Sequence, residues 1–431
     1  MGKKEDIKYE TAFTMSTSNI KYGPGVTCEV GYDMKKLGST RVMVVTDPNL
    51  TKSEPVKLTL EALEEENIEA ILYDQARVEP TDTSFKDAAK FATEGNFDGF
   101  IGVGGGSSMD TAKVANLYST YPAKFLAYVN APIGEGRPVP GPLKPMIAIP
   151  TTAGTGSETT GVAIFDLVKM HAKTGIADRT LRPVMGIIDP NNTRTVPKIA
   201  TACCGFDVLC HALESLTALP YNSRPAPESL NLRPAYQGRN PISHIWASKA
   251  IEMVSKNIVR VVEDIDDNEA RSEMILAATY AGIGFGNAGV HLIHGMSYPV
   301  SGMVREYIPE GITSEHPIIP HGMAVVLPSP AVFRFTAQTD PELHLYAAKL
   351  MGVDISNAKK EDAGDILANE LIKLMKATGI PNGLEAVGFV ESDIEDLVQG
   401  TLPQHRVTKL SPRPASTEDL KKLFTESMIL W

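Results

Sequence analysis

The sequence predicts a two-part fold, an α/β half followed by an all-helical half, and three features carry that expectation. Short β-branched runs alternate with helical stretches through the first 190 residues. Strand-like runs nearly vanish after Pro197. The segment between them, DPNNTRTVP near 190–198, is rich in Pro, Asn and Thr, as linkers are. We therefore expect domains at 1–197 and 198–431.

In the first half, VMVVT (42–46) reads as a buried strand and PVKLTLEALEEEN (55–67) as the helix after it. EAILYD (69–74) and SFKDAAKFATEG (84–95) repeat the pattern, as do FIGV (100–103) and MDTAKVANLY (109–118). PMIAIP (145–150), VAIFD (162–166) and VMGIID (184–189) are further strand candidates. Strand–helix–strand repetition with short turns implies a parallel sheet with right-handed crossovers. In the second half, CCGFDVLCHALESLTA, SHIWASKAIEMVSKNIVRVVED, NEARSEMILAATYAGIGF, KEDAGDILANELIKLMKATG and STEDLKKLFTESMIL carry helical periodicity. Two long polar loops, 219–242 and 304–320, interrupt them, and loops of that length usually serve function.

With 41 Lys plus Arg against 52 Asp plus Glu, the net charge of −11 argues against nucleic acid as a partner. No stretch of about 18 uncharged apolar residues stands out, so we expect no membrane span. MGKKEDIKYETAF at the N-terminus shows neither export nor transit features. Four cysteines, none in CxxC spacing, suggest no disulfide framework, and we expect a reduced, cytoplasmic protein.

Three constellations carry chemistry. The first is GVGGGSSMD (102–110), between a strand and a helix, joined by the small-residue loop PTTAGTGSE (150–158). Such a turn serves either as a packing device or as a cradle in which backbone N–H groups and a helix N-terminus meet a pyrophosphate. Asp47, closing VMVVT, is either a turn cap or an acceptor for both ribose hydroxyls, which would favour NAD over NADP. The second is Asp207-x-x-x-His211 on one helix face, either a hydrogen-bonded pair or two ligands of one ion. The third is GVHLIHGMSYP (289–299) with IPHGM (319–323), which sets His291, His294 and His321 in apolar, Gly-flanked surroundings. One Asp with two or three His suits Fe²⁺ or Zn²⁺.

Together GGGSSMD, PTTAGTGSE, GFDVLCHALE, GFGNAGVHLIHGMSYP and IPHG resemble the iron-containing (group III) alcohol dehydrogenase family, in order and through nearly the whole chain. NIKYGPGVTCEVG, ARVEPTD (76–82), RPAYQGRNPIS (233–243) and GTLPQHRVTKL (400–410) are most similar to its hydroxyacid-oxoacid transhydrogenase branch. The resemblance implies a Rossmann-like N-terminal domain, an all-α C-terminal domain and a cleft between them, the plan shared with dehydroquinate synthase. It places metal ligands on Asp207, His211, His294 and His321. It places NAD contacts on Asp47, Gly104, Gly105, Gly106, Ser107, Thr151, Thr152 and Lys173. Where many members carry a second His, four residues after the third ligand, this chain has Tyr298; the proton relay would then fall to Tyr298 or His291.

The implied activity is hydride transfer between NAD and a primary alcohol or a hydroxyacid such as 4-hydroxybutyrate. The alternative is a transhydrogenase that keeps NAD bound and converts 4-hydroxybutyrate and 2-oxoglutarate to succinate semialdehyde and 2-hydroxyglutarate. A lyase on the same scaffold and a non-catalytic nucleotide- or metal-binding protein are weaker readings. The partners implied are a small-molecule substrate and further copies of the chain in a homo-oligomer. Both long loops hold arginines, Arg224, Arg233 and Arg239 in one and Arg305 in the other. They are either solvated surface groups or anchors for a substrate carboxylate.

Overall fold

A computed structural model describes residues 8–170, 172–229, 233–314 and 316–431. In chain order the first half contains β1 (Asn19–Tyr22), α1 (Val30–Lys36), β2 (Arg41–Val45), α2 (Glu54–Glu65), β3 (Glu69–Tyr73), α3 (Asp82–Gly95), β4 (Gly99–Gly104), α4 (Gly106–Thr120), β5 (Met146–Pro150), β6 (Val162–Leu167), β7 (Ala172–Ala177) and β8 (Met185–Ile188). Six of these strands form one parallel sheet in the order β1-β8-β5-β4-β2-β3. Val42, Val44, Ile101, Val103, Ile147 and Ile149 are fully buried within it, as continuous apolar strands covered on both faces should be. The strand order reverses between β2 and β4, the place where α/β sheets open a ligand crevice at their carboxyl edge.

VAIFD does not join that sheet, contrary to the sequence reading. As β6 it pairs antiparallel with β7, Val162 opposite Ala177 and Leu167 opposite Ala172. Residues 151–161, between β5 and β6, hold no helix able to return the chain for a parallel crossover. β1 escaped the sequence reading because it is a short, largely exposed edge strand without an apolar run.

The second half begins with α5 (Lys198–Thr217), followed by α6 (Pro241–Glu263), α7 (Asn268–Ala288), α8 (Leu292–Gly302), α9 (His321–Val326), α10 (Ser329–Ala337), α11 (Pro341–Leu350), α12 (Ala363–Ala377), α13 (Ile394–Thr401), α14 (His405–Thr408) and α15 (Thr417–Met428). By length and hydropathy α5 could cross a membrane, which the sequence reading overlooked, but 83% of that window is buried inside the protein. It is apolar on most sides because it is the central helix, packed by α6, α7 and α9.

The 219–242 loop, apart from residues 230–232, which lie outside the described residues, is stitched to neighbouring chain. Pro220 bridges to Arg239 and Tyr9 to Pro225, and Glu10 N–H donates to the Arg224 carbonyl at 2.8 Å. In the 304–320 loop, residue 315 lies outside the described residues, as do residues 1–7 of the N-terminal stretch read for targeting features.

Candidate active site

Residues 207, 211 and 214 are four and three positions apart on α5, so one helix face presents Asp207, His211 and Glu214 together. His294 stands in the first turn of α8 and His321 opens α9. Asp207 Oδ1 lies 3.7 Å from Nε2 of His211, of His294 and of His321 alike. That spacing is too long for hydrogen bonds, yet it suits ligands about 2.0–2.2 Å from a shared first-row ion. One ligand atom each from Asp207, His211 and His294 fits within 4.8 Å of the others.

Two of the converging atoms, Asp207 Oδ1 and His294 Nε2, are buried without hydrogen-bond partners. Buried polar atoms in native proteins rarely go unpaired, so the residues fit a divalent metal. Burial works against ionisation of Asp207, but the imidazoles outweigh it and hold the carboxyl well below its usual range. Burial also pushes His211 down to about 3, leaving it neutral and able to donate an electron pair to an ion.

Neighbours fix the orientation of these side chains. Phe285 of α7 stacks on the His211 ring at 3.9 Å and 7°. Glu214, fully buried, accepts the backbone N–H of His291 at 2.9 Å, of Ile293 at 2.9 Å and of His294 at 3.3 Å, and also pairs with His294 Nδ1. Gly322 lets α9 lie directly on α5, because a Cβ there would overlap the Cys203 carbonyl oxygen. That close approach brings His321 to Asp207.

The α/β half contributes its carboxyl edge. Val45 of β2 pairs with Gly102 of β4, so Asp47 and Gly104 stand two residues beyond that pair on neighbouring strands. Gly104 pairs with Pro150 of β5, and Thr151 N–H donates to the Gly104 carbonyl at 3.0 Å. Asp47, the glycine turn and Thr151 therefore share one edge, while Lys173 stands on β7 outside that sheet. Gly104 adopts φ +151°, and a Cβ on Gly106 would reach 2.7 Å from Thr155 Cγ2, so both positions favour glycine. Asp47 accepts the Asn49 N–H at 3.0 Å, so its carboxylate also caps the TDPN turn.

One cleft of roughly 120 Å³ joins the two halves. Gly106, Ser107 and Lys173 border it from the sheet side, and Asp207, His211, His294, His321 and Tyr298 from the helical side. Lys173 is buried against Glu79 at 2.5 Å and Asp166 at 3.2 Å. Burial opposes its charge, but both carboxylates outweigh that and raise its pKa.

Five sequence-based candidates fall elsewhere. His291 is fully buried, its Nε2 3.0 Å from Thr217 Oγ1 and its Nδ1 3.4 Å from Glu214 Oε1, so it is a packed histidine outside the cleft. Arg233 forms a two-point pair with Glu10 (2.9 and 3.1 Å), and Arg239 pairs with Asp340 at 3.0 Å. Arg224 carries the backbone contact to Glu10 and does not border the cleft. Arg305, the arginine of the other loop, pairs with Asp393. Three cleft or cleft-supporting residues went unread: Glu214, Glu79 and Arg406. Asp-x-x-x-His-x-x-Glu spacing on one helix face would have signalled Glu214; Arg406 follows a Pro-Gln-His stretch with no local signal.

A parallel α/β half facing an all-α half, with this carboxylate and imidazole cluster between them, defines the class as a two-domain oxidoreductase. Residues 17–190 match the family described as iron-containing alcohol dehydrogenase, and residues 235–428 match its C-terminal region. The chain belongs to the iron-containing alcohol dehydrogenase family.

It is 55% identical over 422 residues to hydroxyacid-oxoacid transhydrogenase, mitochondrial, of Bos taurus, covering 97% of this chain and 91% of that protein. The Homo sapiens protein of the same name is 54% identical, covering 97% and 90%. Among solved structures, a 1,3-propanediol oxidoreductase superposes with TM-score 0.85 at 26% identity, covering 97% of this chain and 100% of that one. An alcohol dehydrogenase from Oenococcus oeni gives 0.84 at 25%, covering 96% and 100%. The protein is thus an enzyme acting on small molecules.

The expected cytoplasmic location is overturned, because these relatives are named as mitochondrial and point to that compartment.

Proposed function

We propose that the protein moves hydride from a hydroxyacid to an oxoacid by way of NAD, as a transhydrogenase. The likeness to relatives named hydroxyacid-oxoacid transhydrogenase favours this reading, and Gly106, Ser107 and the four ligand candidates border one cleft suited to it. Asp207, His211, His294 and His321 would hold Fe²⁺, with Zn²⁺ able to take the same ligands. A bound metal would supply Lewis acidity, lowering the pKa of a substrate hydroxyl. NAD would supply the hydride carrier shared by the two half-reactions.

Residues 1–197 would form the NAD-binding domain and 198–431 the metal-binding domain. Gly104, Gly105, Gly106 and Ser107 would offer backbone and hydroxyl donors to the pyrophosphate at the start of α4. Asp47 would take the ribose hydroxyls and repel a 2′-phosphate. Thr151 and Thr152 would flank the cofactor, and Lys173 would reach a ribose. Tyr298, not His291, would face the substrate. The hydroxyl proton lost in the first half-reaction is regained in the second, so the couple balances. The net charge of −11 weighs against nucleic acid, and the family likeness favours a homo-oligomer.

The test uses anaerobically Fe²⁺-reconstituted protein with 4-hydroxybutyrate and 2-oxoglutarate and no added nucleotide. Equal yields of succinate semialdehyde and 2-hydroxyglutarate are expected. Free NADH accumulating with one acid plus added NAD would assign a simple dehydrogenase instead, and silence under both conditions would reject either reading.

A further inference from the structure

We infer that Arg406 holds the substrate carboxylate and thereby selects acids over neutral alcohols. Arg406 lies on α14 and borders the same cleft as Asp207 and His294. Its Nη2 donates to Tyr298 Oη at 2.9 Å, and its guanidinium carbon sits 5.0 Å from the centre of the Tyr236 ring. Its Nη1 is buried with no hydrogen-bond partner. Among the described residues no Asp or Glu forms an ion pair with the guanidinium, and Asp110, which borders the same cleft, is held by Lys113 at 3.1 Å.

Of the other arginines considered as anchors, Arg233 is occupied by Glu10, Arg239 by Asp340 and Arg305 by Asp393, and Arg224 does not border the cleft. Lys173, the lysine bordering the cleft, is occupied by Glu79 and Asp166. A buried cation with a free donor and no counter-charge is costly unless a ligand completes it. A carboxylate supplies both the acceptor and the charge, and a guanidinium fork matches its geometry.

Tyr298 and Tyr236 act as positioning residues for the guanidinium.

This inference rests on the proposed hydroxyacid reading, and the test separates the two. Metal- and NADH-loaded protein is titrated calorimetrically with 4-hydroxybutyrate and with 1-butanol, using wild type, Arg406→Met and Arg406→Lys. The acid-to-alcohol affinity ratio should fall by about 100-fold in Arg406→Met, and by about 10-fold in Arg406→Lys, which keeps the charge but loses the fork. A ratio that stays put in either variant overturns the inference. Should Arg406→Met fail to fold, the lysine variant decides alone. Acid binding that depends on Arg406 without any turnover would uphold the anchor while rejecting the proposed function.

Discussion

Glu214 grips His294 at two points, accepting its backbone N–H at 3.3 Å and pairing with its ring Nδ1. One carboxylate thus ties the first turn of α8 to the central helix and aims Nε2 of His294 at Asp207, 3.7 Å away. Burial would keep Glu214 protonated, but His294 and His291 outweigh it and hold its carboxyl below the usual value. His294 and the residue that orients it lie 80 positions apart in sequence.

Glu214→Gln should weaken metal binding by about 10–100-fold, because the amide orients the imidazole less firmly and leaves it less basic. Competition with a calibrated chelator reads this directly, and excess Fe²⁺ should restore part of the activity. Unchanged metal retention would show that packing alone aims His294.

Gly322→Ala should separate α9 from α5, since the new methyl group overlaps the Cys203 carbonyl and lies 3.0 Å from Asp207 Cβ. Overpacking of this kind costs about 1–3 kcal/mol. Thermal unfolding and metal content should fall together, because His321 leaves the cluster along with the helix. Loss of stability with full metal content would mean that three ligands suffice.

Removing the metal should abolish turnover and lower the melting temperature. A ligand at about a thousand times its Kd stabilises by about 4 kcal/mol through mass action. Adding back Fe²⁺ or Zn²⁺ to chelator-treated protein, and following unfolding beside activity, identifies the ion that serves. Full activity after verified stripping of the metal would refute the metal-dependent mechanism.

Arg233→Ala should leave the KM for hydroxyacids unchanged while loosening the N-terminal segment. Glu10 is buried, and the Arg233 pair draws its carboxyl below the ordinary value against the cost of burial. A lowered carboxyl pKa contributes stability above the unfolded value of about 4.3 and loses it as pH falls through the folded one. Protection of the amides at residues 8–12 from hydrogen exchange, taken relative to the intrinsic rate at each pH, should therefore fall on acidification in the wild type. In the variant it should already be low at neutral pH. A raised hydroxyacid KM would return Arg233 to the substrate site.

Asp47→Gly should raise kcat/KM for NADP relative to NAD, since the carboxylate that repels a 2′-phosphate is gone. An unaltered ratio would leave Asp47 as the turn cap that its bond to Asn49 already makes it.

Much of this protein was legible in the chain itself. Periodicity located the buried strands β2, β4 and β5 and the long helices α5, α6, α7, α12 and α15, because alternation and helical spacing are imposed by near neighbours. The glycine turn and the Asp207–His211 pair were equally local: one strand end, and one helical turn. The tertiary structure decided which charges meet. It paired Arg233 with Glu10 across 223 positions and brought Arg406 to Tyr298 across 108. It also turned β6 away from the main sheet and enclosed His291 in the core. A side chain's type sets what it can bind, but its partner depends on which surfaces the packed helices press together, and no local pattern records that.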